Sequence, residues 1–500
     1  MRNIFKLFNV TLFVLSTIFS LLALQLHEGS ILNYLIFCII INLLFIYTLN
    51  TQSLFFEIYF AAFIWLGFWF KYIFSLVFLN GIIYDSGPIS NMVNIDKAIF
   101  TSTVAISAIF LSFIFRKKFF KEQNYIIKEV SFFETQYLKN RNIVIFLFVL
   151  LFCLIAYMNY SLSIYQKGFI YINEIHPFIS NFFRWMLLFG LTTLSCFFIY
   201  TEILRLKKVS LPLSVLIFFE IFFSYSSMLS RALIMNLSVI TFSLLKYLNF
   251  VTNKKFFFST LLIFVLSMSF VNNYFSNYVR INFAKEIGEE ILIKEKNKNI
   301  KLETQKKDDQ NIVQFKVSND PSTKPSPINM SIFVVINRWT GIDSMIAVVS
   351  SNKLSFGLFN QSLKEKKIIN KKTFYETTFQ IDYDGGKEVM IGEKRVLKGN
   401  TLPGIISFLF YTGNYYFLFI VIFILTFLLS NFEIFCRKVT NNNMIFASFI
   451  SFMICFRLFN FGYAPSDTYL FIISVLVALL VIHLLSRSNY FFLNKNNSNQ

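Results

Sequence analysis

The sequence predicts an all-α polytopic membrane protein with about twelve transmembrane helices and one large extracytoplasmic loop. Of its 500 residues, 56% are hydrophobic and only 15% are charged. Apolar runs of about 20 residues recur along the chain, and this length lets a helix cross the bilayer. A transmembrane barrel would instead show short segments of alternating hydrophobicity. The backbone in lipid must satisfy its own hydrogen bonds, so these runs are predicted to be helices.

The candidate spans each hold an apolar run of roughly membrane length. They cover about residues 8–26, 31–49, 53–80, 98–115, 142–160, 181–203, 210–226, 232–250, 256–274, 411–432, 443–462 and 468–486. The third span is long and contains Glu57 and Lys71. Because charged side chains are costly at membrane depth, we expect this span to be tilted or broken.

Basic clusters precede the first span and follow the fourth, sixth, eighth, tenth and twelfth spans. Such clusters mark the cytoplasmic side of membrane proteins. The clusters are Arg2 and Lys6, Arg116 to Lys118, Arg205 with Lys207 and Lys208, Lys254 and Lys255, Arg437 and Lys438, and Arg487. They all fall on one side if both termini are cytoplasmic, which predicts a multi-pass protein. Much of the net charge of +19 flanks these spans, so nucleic acid is not a predicted partner.

Four regions follow from this pattern. We expect an N-terminal bundle over 1–274, a large outer loop over 275–402, C-terminal helices over 403–486 and a cytoplasmic tail over 487–500.

The outer loop and the residues directly after it contain several local sequence patterns. Residues 320–327 are rich in Pro and Ser and are typical of a linker. Residues 331–363 carry apolar positions near a period of 3.6, which predicts a helix. The Asp and Gly residues of 382–386 predict a turn. Residues 405–413 are apolar but too short to cross alone, so they predict a re-entrant or interfacial helix.

Ionisable residues within or beside spans are candidate functional groups, because each must be paired or hydrated. Arg457 is expected near the middle of the eleventh span, with a functional role or a buried ion pair. Glu220, in the seventh span, is a candidate partner for it. Arg184 and Arg231 lie at outer ends of spans, where snorkelling to the interface is an equal alternative.

Arg231, Arg280 and Arg338 all lie on the predicted outer side. Arginine suits bidentate contacts with phosphate oxygens, so these three residues could form an anion pocket for a lipid-linked diphosphate. The alternative is a set of solvated charges on a basic loop.

A transfer reaction at such a pocket would also need a general base for an acceptor hydroxyl. Asp343 and His176 are the candidate catalytic residues, although a single histidine is more often structural. His27 and His483 look like spacers at the ends of spans. No P-loop, GxGxxG or HExxH string is present, and the five cysteines lack CxxC spacing. Neither a cofactor nor a metal site is therefore predicted.

Three strings resemble those of oligosaccharide repeat-unit polymerases of the Wzy type, the O-antigen and capsule polymerases of bacterial envelopes. They are RWTGIDSMIAVVSS from Arg338, KGNTLPGIISFLFYTGNYYFLF from Lys398, and SRALIMN from Ser230. One departure is clear, since neither Arg280 nor Arg338 has Gly eleven positions later.

The resemblance implies a glycosyltransferase with a GT-C-like membrane fold in the bacterial inner membrane. It would move a growing glycan from undecaprenyl diphosphate to a new lipid-linked repeat unit, without nucleotide sugar or obligatory metal. Arg338 and Arg231 would help hold the diphosphate, and Arg280 joins them on chemistry alone. A chain-length regulator is a further partner to consider.

Two alternatives remain open. A lipid-linked oligosaccharide flippase would share the spans and the intramembrane charges, but it would not need so large an outer loop. An O-antigen ligase would share the loop and its arginines, and would use a lipid A core as acceptor. The RWTGID and GNTLPG strings favour the polymerase.

Overall fold

A computed structural model gives the three-dimensional structure of the chain. It describes residues 2–50, 53–79, 81, 83, 92–120, 131–166, 175–230, 232–245, 247, 251, 253–302, 339–365, 373–381, 390–391, 394–395, 402–459 and 465–487. The linker predicted at 320–327 and the turn predicted at 382–386 lie outside these residues.

The described chain is almost entirely helical. The elements in order are α1 (Arg2–Leu24), α2 (Ile31–Asn50), α3 (Phe55–Ile64), π1 (Trp65–Phe70), α4 (Lys71–Phe78), α5 (Met92–Phe119), α6 (Phe132–Lys139), α7 (Arg141–Ser161), α8 (Pro177–Trp185), π2 (Met186–Gly190), α9 (Leu191–Leu206), α10 (Leu211–Ser227), α11 (Leu233–Leu245), α12 (Lys254–Leu302), α13 (Ile342–Val349), α14 (Phe356–Leu363), α15 (Phe374–Thr378), β1 (Met390–Ile391), β2 (Lys394–Arg395), α16 (Gly404–Leu409), α17 (Tyr415–Val439), α18 (Met444–Phe459) and α19 (Pro465–Arg487). The two short strands pair antiparallel, with Met390 opposite Arg395.

The helical, polytopic membrane class is confirmed. Within the described residues, 8 helices are long and apolar enough to cross a membrane. Shorter apolar helices cover Val10–Leu24, Leu211–Ser227, Leu233–Leu245 and Met444–Phe459. Each apolar run predicted from the sequence overlaps one of these long or short helices.

Burial separates central helices from peripheral ones. The apolar window of Pro177–Leu206 is 83% buried inside the protein, whereas that of Asp467–Ser486 is only 22% buried. Apolar side chains such as Phe270 remain exposed, as expected where lipid is the solvent. Helix association in lipid depends on close packing and hydrogen bonds rather than on removal of apolar surface from water.

The predicted break of the third span is wrong, because Phe55–Phe78 forms one continuous helix whose backbone stays helical at Ile64 and Lys71. Regular α-helix in α3 and α4 is interrupted by the wider turns of π1. Such π segments are uncommon and often occur at functional sites. In this chain the segment includes Gly67 and immediately precedes Lys71.

The ninth span continues well beyond its predicted end at 274. Helix α12 has 49 residues and ends at Leu302, a length of about 73 Å at 1.5 Å per residue. Only Lys254–Ser276 forms the apolar crossing segment. The predicted boundary between bundle and loop therefore falls inside a helix, because residues 281–302 are rich in helix-forming Glu and Lys and contain no proline.

The single helix predicted over 331–363 is wrong in its described part. Trp339 and Thr340 are not helical, and α13 and α14 are separated by residues 350–355. Ser355 ends this break by accepting a hydrogen bond from the backbone N–H of Leu358, which caps the start of α14. The short helix predicted at 405–413 is confirmed as α16, followed by one 3₁₀ turn over Phe410–Thr412.

Buried ion pairs gather at the end of the bundle that contains Arg116, Arg205 and Arg437, here called the basic end. The pairs are Glu57 with Arg116, Glu134 with Arg205, Glu202 with Arg141, and Glu433 with Arg437. Glu433 also accepts hydrogen bonds from the backbone N–H groups of Phe55 and Phe56, which stabilises the N-terminus of α3. Arginines predicted to mark topology therefore also hold the helices together.

Candidate functional site

The described parts of the RWTGID and GNTLPG strings, residues 339–343 and 402–404, meet at the opposite end of the bundle, here called the loop end. Gly341 lies against the backbone of π1 so closely that an added Cβ would be 2.1 Å from the Gly67 carbonyl oxygen. A Cβ on Gly67 would likewise lie 2.4 Å from the Thr340 carbonyl oxygen. Only two glycines permit this approach, so the loop segment is fitted directly onto the third span.

A buried ion pair lies beside this glycine contact. Lys71 Nζ is 2.8 Å from Asp343 Oδ2, and the two side chains are 2% and 10% exposed. Lys71 also donates a hydrogen bond to the Trp339 carbonyl oxygen at 3.2 Å. Asp343 Oδ1 in turn accepts one from the Gly341 N–H at 3.0 Å. Together these bonds fix the turn that leads from Arg338 into α13.

The second string packs onto the same turn. Ser344 Oγ donates to the Pro403 carbonyl oxygen at 2.8 Å and lies 3.0 Å from Ser407 Oγ. Gly404 has a φ of +69°, a left-handed conformation that favours glycine. A Cβ there would meet the Phe459 carbonyl oxygen at 3.2 Å and the Thr340 side chain at 3.3 Å. Residues 339–344 and 402–407 thus form one layer, which we call the outer layer.

Aromatic rings connect the outer layer to α18. The ring centroid of Trp339 is 5.7 Å from that of Phe63, in an edge-to-face arrangement. Phe63 also stacks on Phe459 at 5.0 Å and lies 6.4 Å from Phe456. The arginine of this helix, Arg457, follows Phe456 directly, so the outer layer and the helix carrying Arg457 share one aromatic contact.

Arg457 lies closer to the loop end than its sequence position suggests. It was predicted near mid-span, but α18 ends at Phe459, only two residues later. Its Nη2 donates a 2.8 Å hydrogen bond to Thr468 Oγ1 in the first turn of α19. The suggested pairing with Glu220 is wrong, because Glu220 accepts hydrogen bonds from Ser195 and Ser224 instead.

A second arginine shares this region with Arg457. Arg184 Nη1 is 3.5 Å from Asp467 Oδ1, and its guanidinium lies 5.7 Å from the Tyr165 ring centroid. Asp467 and Arg184 both lie near enough to Arg457 to act electrostatically on it. Both arginines therefore contact the first turn of α19, at Asp467 and Thr468, and guanidinium groups there are suited to binding an anion.

The predicted residues His176, Arg231, Arg280 and Arg338 fall in different settings. His176 is exposed and caps the N-terminus of α8, where its Nδ1 accepts a hydrogen bond from the Phe178 N–H. It forms no ion pair or hydrogen bond with Asp343 or Arg457 within the described ranges. Arg280 lies on α12. Arg231 and Arg338 lie outside the described residues, next to Ser230 and Trp339.

Ser230, the neighbour of Arg231, is fixed in the bundle. Its N–H donates to the Tyr225 carbonyl oxygen at 2.9 Å, and its own carbonyl oxygen accepts from Asn272 Nδ2 at 2.8 Å. The SRA string is therefore anchored to α12 at the point where Arg231 follows.

Lys71 is the main site residue that sequence reasoning missed. The signal was present, because a lysine within a span needs a partner, but that partner lies 272 positions away, at Asp343. The carboxylate could be identified only by the fold.

His27 was predicted to be a spacer, and this is wrong. Its Nδ1 lies 2.7 Å from Tyr72 Oη, its Nε2 lies 3.6 Å from Asp96 Oδ1, and its ring stacks on Tyr34. The Ser30 N–H also donates one bifurcated hydrogen bond to the two Asp96 carboxylate oxygens, each at 2.9 Å. Burial lowers the pKa of His27 below its usual value, and this outweighs the opposing effect of Asp96. His27 therefore joins the α1–α2 connection to α4 and α5.

Among the described residues, no group of three or more His, Cys, Asp or Glu side chains is arranged to hold a metal ion. Comparison with protein-family models, with curated proteins and with solved structures finds no match for this chain.

Proposed function

We propose that this protein polymerises lipid-linked oligosaccharide repeat units at the periplasmic face of the bacterial inner membrane, in O-antigen or capsule biosynthesis. One observation carries the proposal. The two strings that resemble the polymerase family, separated by some 60 residues of sequence, form a single buried layer through Thr340, Ser344, Pro403 and Gly404. This contact supports the proposal that the two strings belong to one site.

The proposed reaction is a block transfer. A hydroxyl of the new repeat unit attacks the anomeric carbon of the growing glycan, and the bond from that carbon to undecaprenyl diphosphate breaks. The hydroxyl proton passes to a general base, which is unassigned. The leaving diphosphate carries the developing negative charge, so fixed positive groups at that position lower the barrier.

The basic residues at the loop end suit this requirement. Arg184 contacts Asp467 and Arg457 contacts the adjacent Thr468. The predicted diphosphate ligands Arg231, Arg280 and Arg338 would add to them. Guanidinium groups bind phosphate oxygens through paired N–H donors. In this proposal the anion lies between the outer layer and α18.

In this proposal, Lys71 and Asp343 position the backbone beside Arg338. The Asp343 carboxylate contacts the Lys71 ammonium at 2.8 Å and accepts the Gly341 N–H at 3.0 Å, so both of its oxygens already have partners within the protein. Its predicted catalytic role remains a prediction, as does that of His176. The contacts of the pair with Trp339 and Gly341 instead fix the backbone that presents Arg338.

The test measures the length distribution of the surface glycan, which appears as a ladder of bands on a gel. The gene is deleted in its native host and complemented with wild type, Lys71→Met or Lys353→Met. Lys71→Met removes the ammonium that holds Asp343 and Trp339, so we expect chain extension to fall about a hundredfold, the scale of a misplaced reacting group. Lys353 is exposed between α13 and α14, and its variant should restore a wild-type ladder.

The membrane content of each variant is measured in parallel, and lipid-linked single units are quantified. Core carrying one repeat unit, with normal protein content, supports a polymerase that depends on Lys71. Loss of even the single unit on deletion would point to a flippase or a ligase. An unchanged ladder on deletion would refute the proposal.

A further inference from the structure

Glu220 lies inside the bundle, and its partners differ from those of the four glutamates buried at the basic end. Glu57, Glu134, Glu202 and Glu433 each form an ion pair with an arginine. Glu220 is 0% exposed, and its hydrogen bonds come from hydroxyl groups: Ser224 Oγ to Oε1 at 3.0 Å and Ser195 Oγ to Oε2 at 3.4 Å. Among the residues that the structure describes, no cation accompanies it.

The depth of Glu220 makes this difference important. It lies nine residues into α10, about 14 Å along the axis, which is close to half of the roughly 30 Å hydrocarbon core. An isolated carboxylate there has no water and no counter-charge, and the usual response of such a group is to take up a proton.

Neighbouring helices supply no compensating charge at this depth. Helices α7, α9, α11, α12 and π2 pack on α10. The charged residues of α7 and α9 lie toward the helix ends, and those of α12 lie at its start or beyond its apolar crossing segment Lys254–Ser276: Arg141, Glu202, Arg205, Lys254, Lys255, and Arg280 with the charged residues that follow it. The titratable groups that feel the charge of Glu220 are the Cys196 thiol on α9 and the Tyr225 phenol on α10. On α7, Cys153 and Tyr157 are exposed on the outside of the bundle.

We propose that Glu220 is a proton-binding site at the middle of the membrane, occupied at neutral pH. The neutral acid donates its own O–H to one of the two serine hydroxyls, which can act as acceptors as well as donors. This inference does not depend on the proposed polymerase activity, since it rests only on the contacts of Glu220.

Hydrogen bonds continue from this site toward the loop end. Ser227 Oγ donates to the Ser224 carbonyl oxygen at 2.9 Å, and Asn159 Nδ2 donates to the Ser227 carbonyl oxygen at 3.0 Å. Asn159 also accepts from the Tyr165 N–H at 2.8 Å. The Tyr165 ring lies 5.7 Å from the Arg184 guanidinium, so residues in contact with one another lead from Glu220 to the basic residues of the loop end.

The first test is an infrared difference spectrum at neutral pH between wild type and Glu220→Gln in lipid. We expect the variant to lose one carbonyl stretch of a protonated carboxylic acid. The matched control is Glu202→Gln, which should lose carboxylate stretches because Glu202 is paired with Arg141. Loss of carboxylate stretches in Glu220→Gln would overturn the proposal.

The second test needs no variant and uses dicyclohexylcarbodiimide, an apolar reagent for protonated carboxyl groups. The acid proton moves to one carbodiimide nitrogen while the acid oxygen bonds the central carbon. Acyl migration to nitrogen then gives an N-acylurea that retains all atoms of both reactants. Peptide mass spectrometry should find Glu220 modified and Glu57 and Glu433 unmodified. Modification of Glu57 and Glu433 with Glu220 left intact would overturn the proposal.

Discussion

At the scale of single residues, the closest contact of the outer layer is between two glycines. Gly341 has an extended backbone, so its role is one of space and not of unusual φ. Because its neighbour is the Gly67 carbonyl, which belongs to a helix, neither side can yield by rotating a side chain.

We therefore predict that Gly341→Ala destabilises the protein by more than the about 1–3 kcal/mol typical of an overpacked core. The control is Gly357→Ala in α14, where the added Cβ would meet only Ser355 Oγ, at 3.6 Å. Alanine favours a helix, so this variant should stay within about 1 kcal/mol of wild type. Thermal unfolding in detergent measures both, and equal melting temperatures would contradict the assigned role of Gly341.

Hydropathy alone identifies Glu57, Lys71, Glu220 and Arg457 as unusual at membrane depth, so the sequence predicts these single residues. It could not pair them, because ion pairs such as Lys71 with Asp343 join distant parts of the chain. The proposed pairing of Arg457 with Glu220 failed for that reason.

At the scale of elements, His27 joins three helices through one imidazole ring. It is buried between Tyr72 and Tyr34 and faces Asp96. Since its pKa is lowered in the folded protein, the unfolded chain binds more protons than the folded one as the pH falls through its usual value of 6.5. Stability from neutral His27 is thus fully present above that value and is lost below it.

We predict that the melting temperature of wild type falls between neutral pH and about pH 5, and that His27→Gln flattens this fall. The glutamine amide can still hydrogen-bond Tyr72 but does not titrate. His176→Gln, at an exposed helix cap, is the control and should keep the wild-type slope. Equal slopes in the two variants would show that His27 does not carry this dependence.

Element boundaries were predictable only where hydropathy marks them. The crossing part of α12 was found, but its continuation to Leu302 is polar and carries no membrane signal. The helix expected over 331–363 has the right periodicity and breaks at residues 350–355, where serine side chains compete for backbone hydrogen bonds.

At the scale of the whole molecule, the apolar runs alone determined the class of fold. This succeeds because the bilayer imposes one length on every crossing segment. The outer layer was inaccessible to the same reasoning, since it depends on long-range backbone contacts that leave no periodic pattern.

The orientation inferred from the basic clusters is testable with single cysteines in a background from which the five native cysteines are removed. We predict that a membrane-impermeant maleimide labels Lys353→Cys, at the loop end, from outside the membrane that holds the protein. Lys117→Cys, at the basic end, should react only after that membrane is opened. The reverse pattern would invert the topology and place the outer layer in the cytoplasm.

The docking of the outer layer onto π1 also has a consequence for biogenesis. Lys71 is synthesised early, whereas the carbonyl oxygen that accepts its hydrogen bond follows 268 residues later, at Trp339. Until that segment leaves the ribosome, the lysine ammonium lacks its Asp343 counter-charge, and a charge in that state resists burial in lipid. We therefore expect the third span to stay incompletely inserted during translation, so that final assembly of the bundle is a late step, and nascent chains that stop before Trp339 become substrates for membrane proteases.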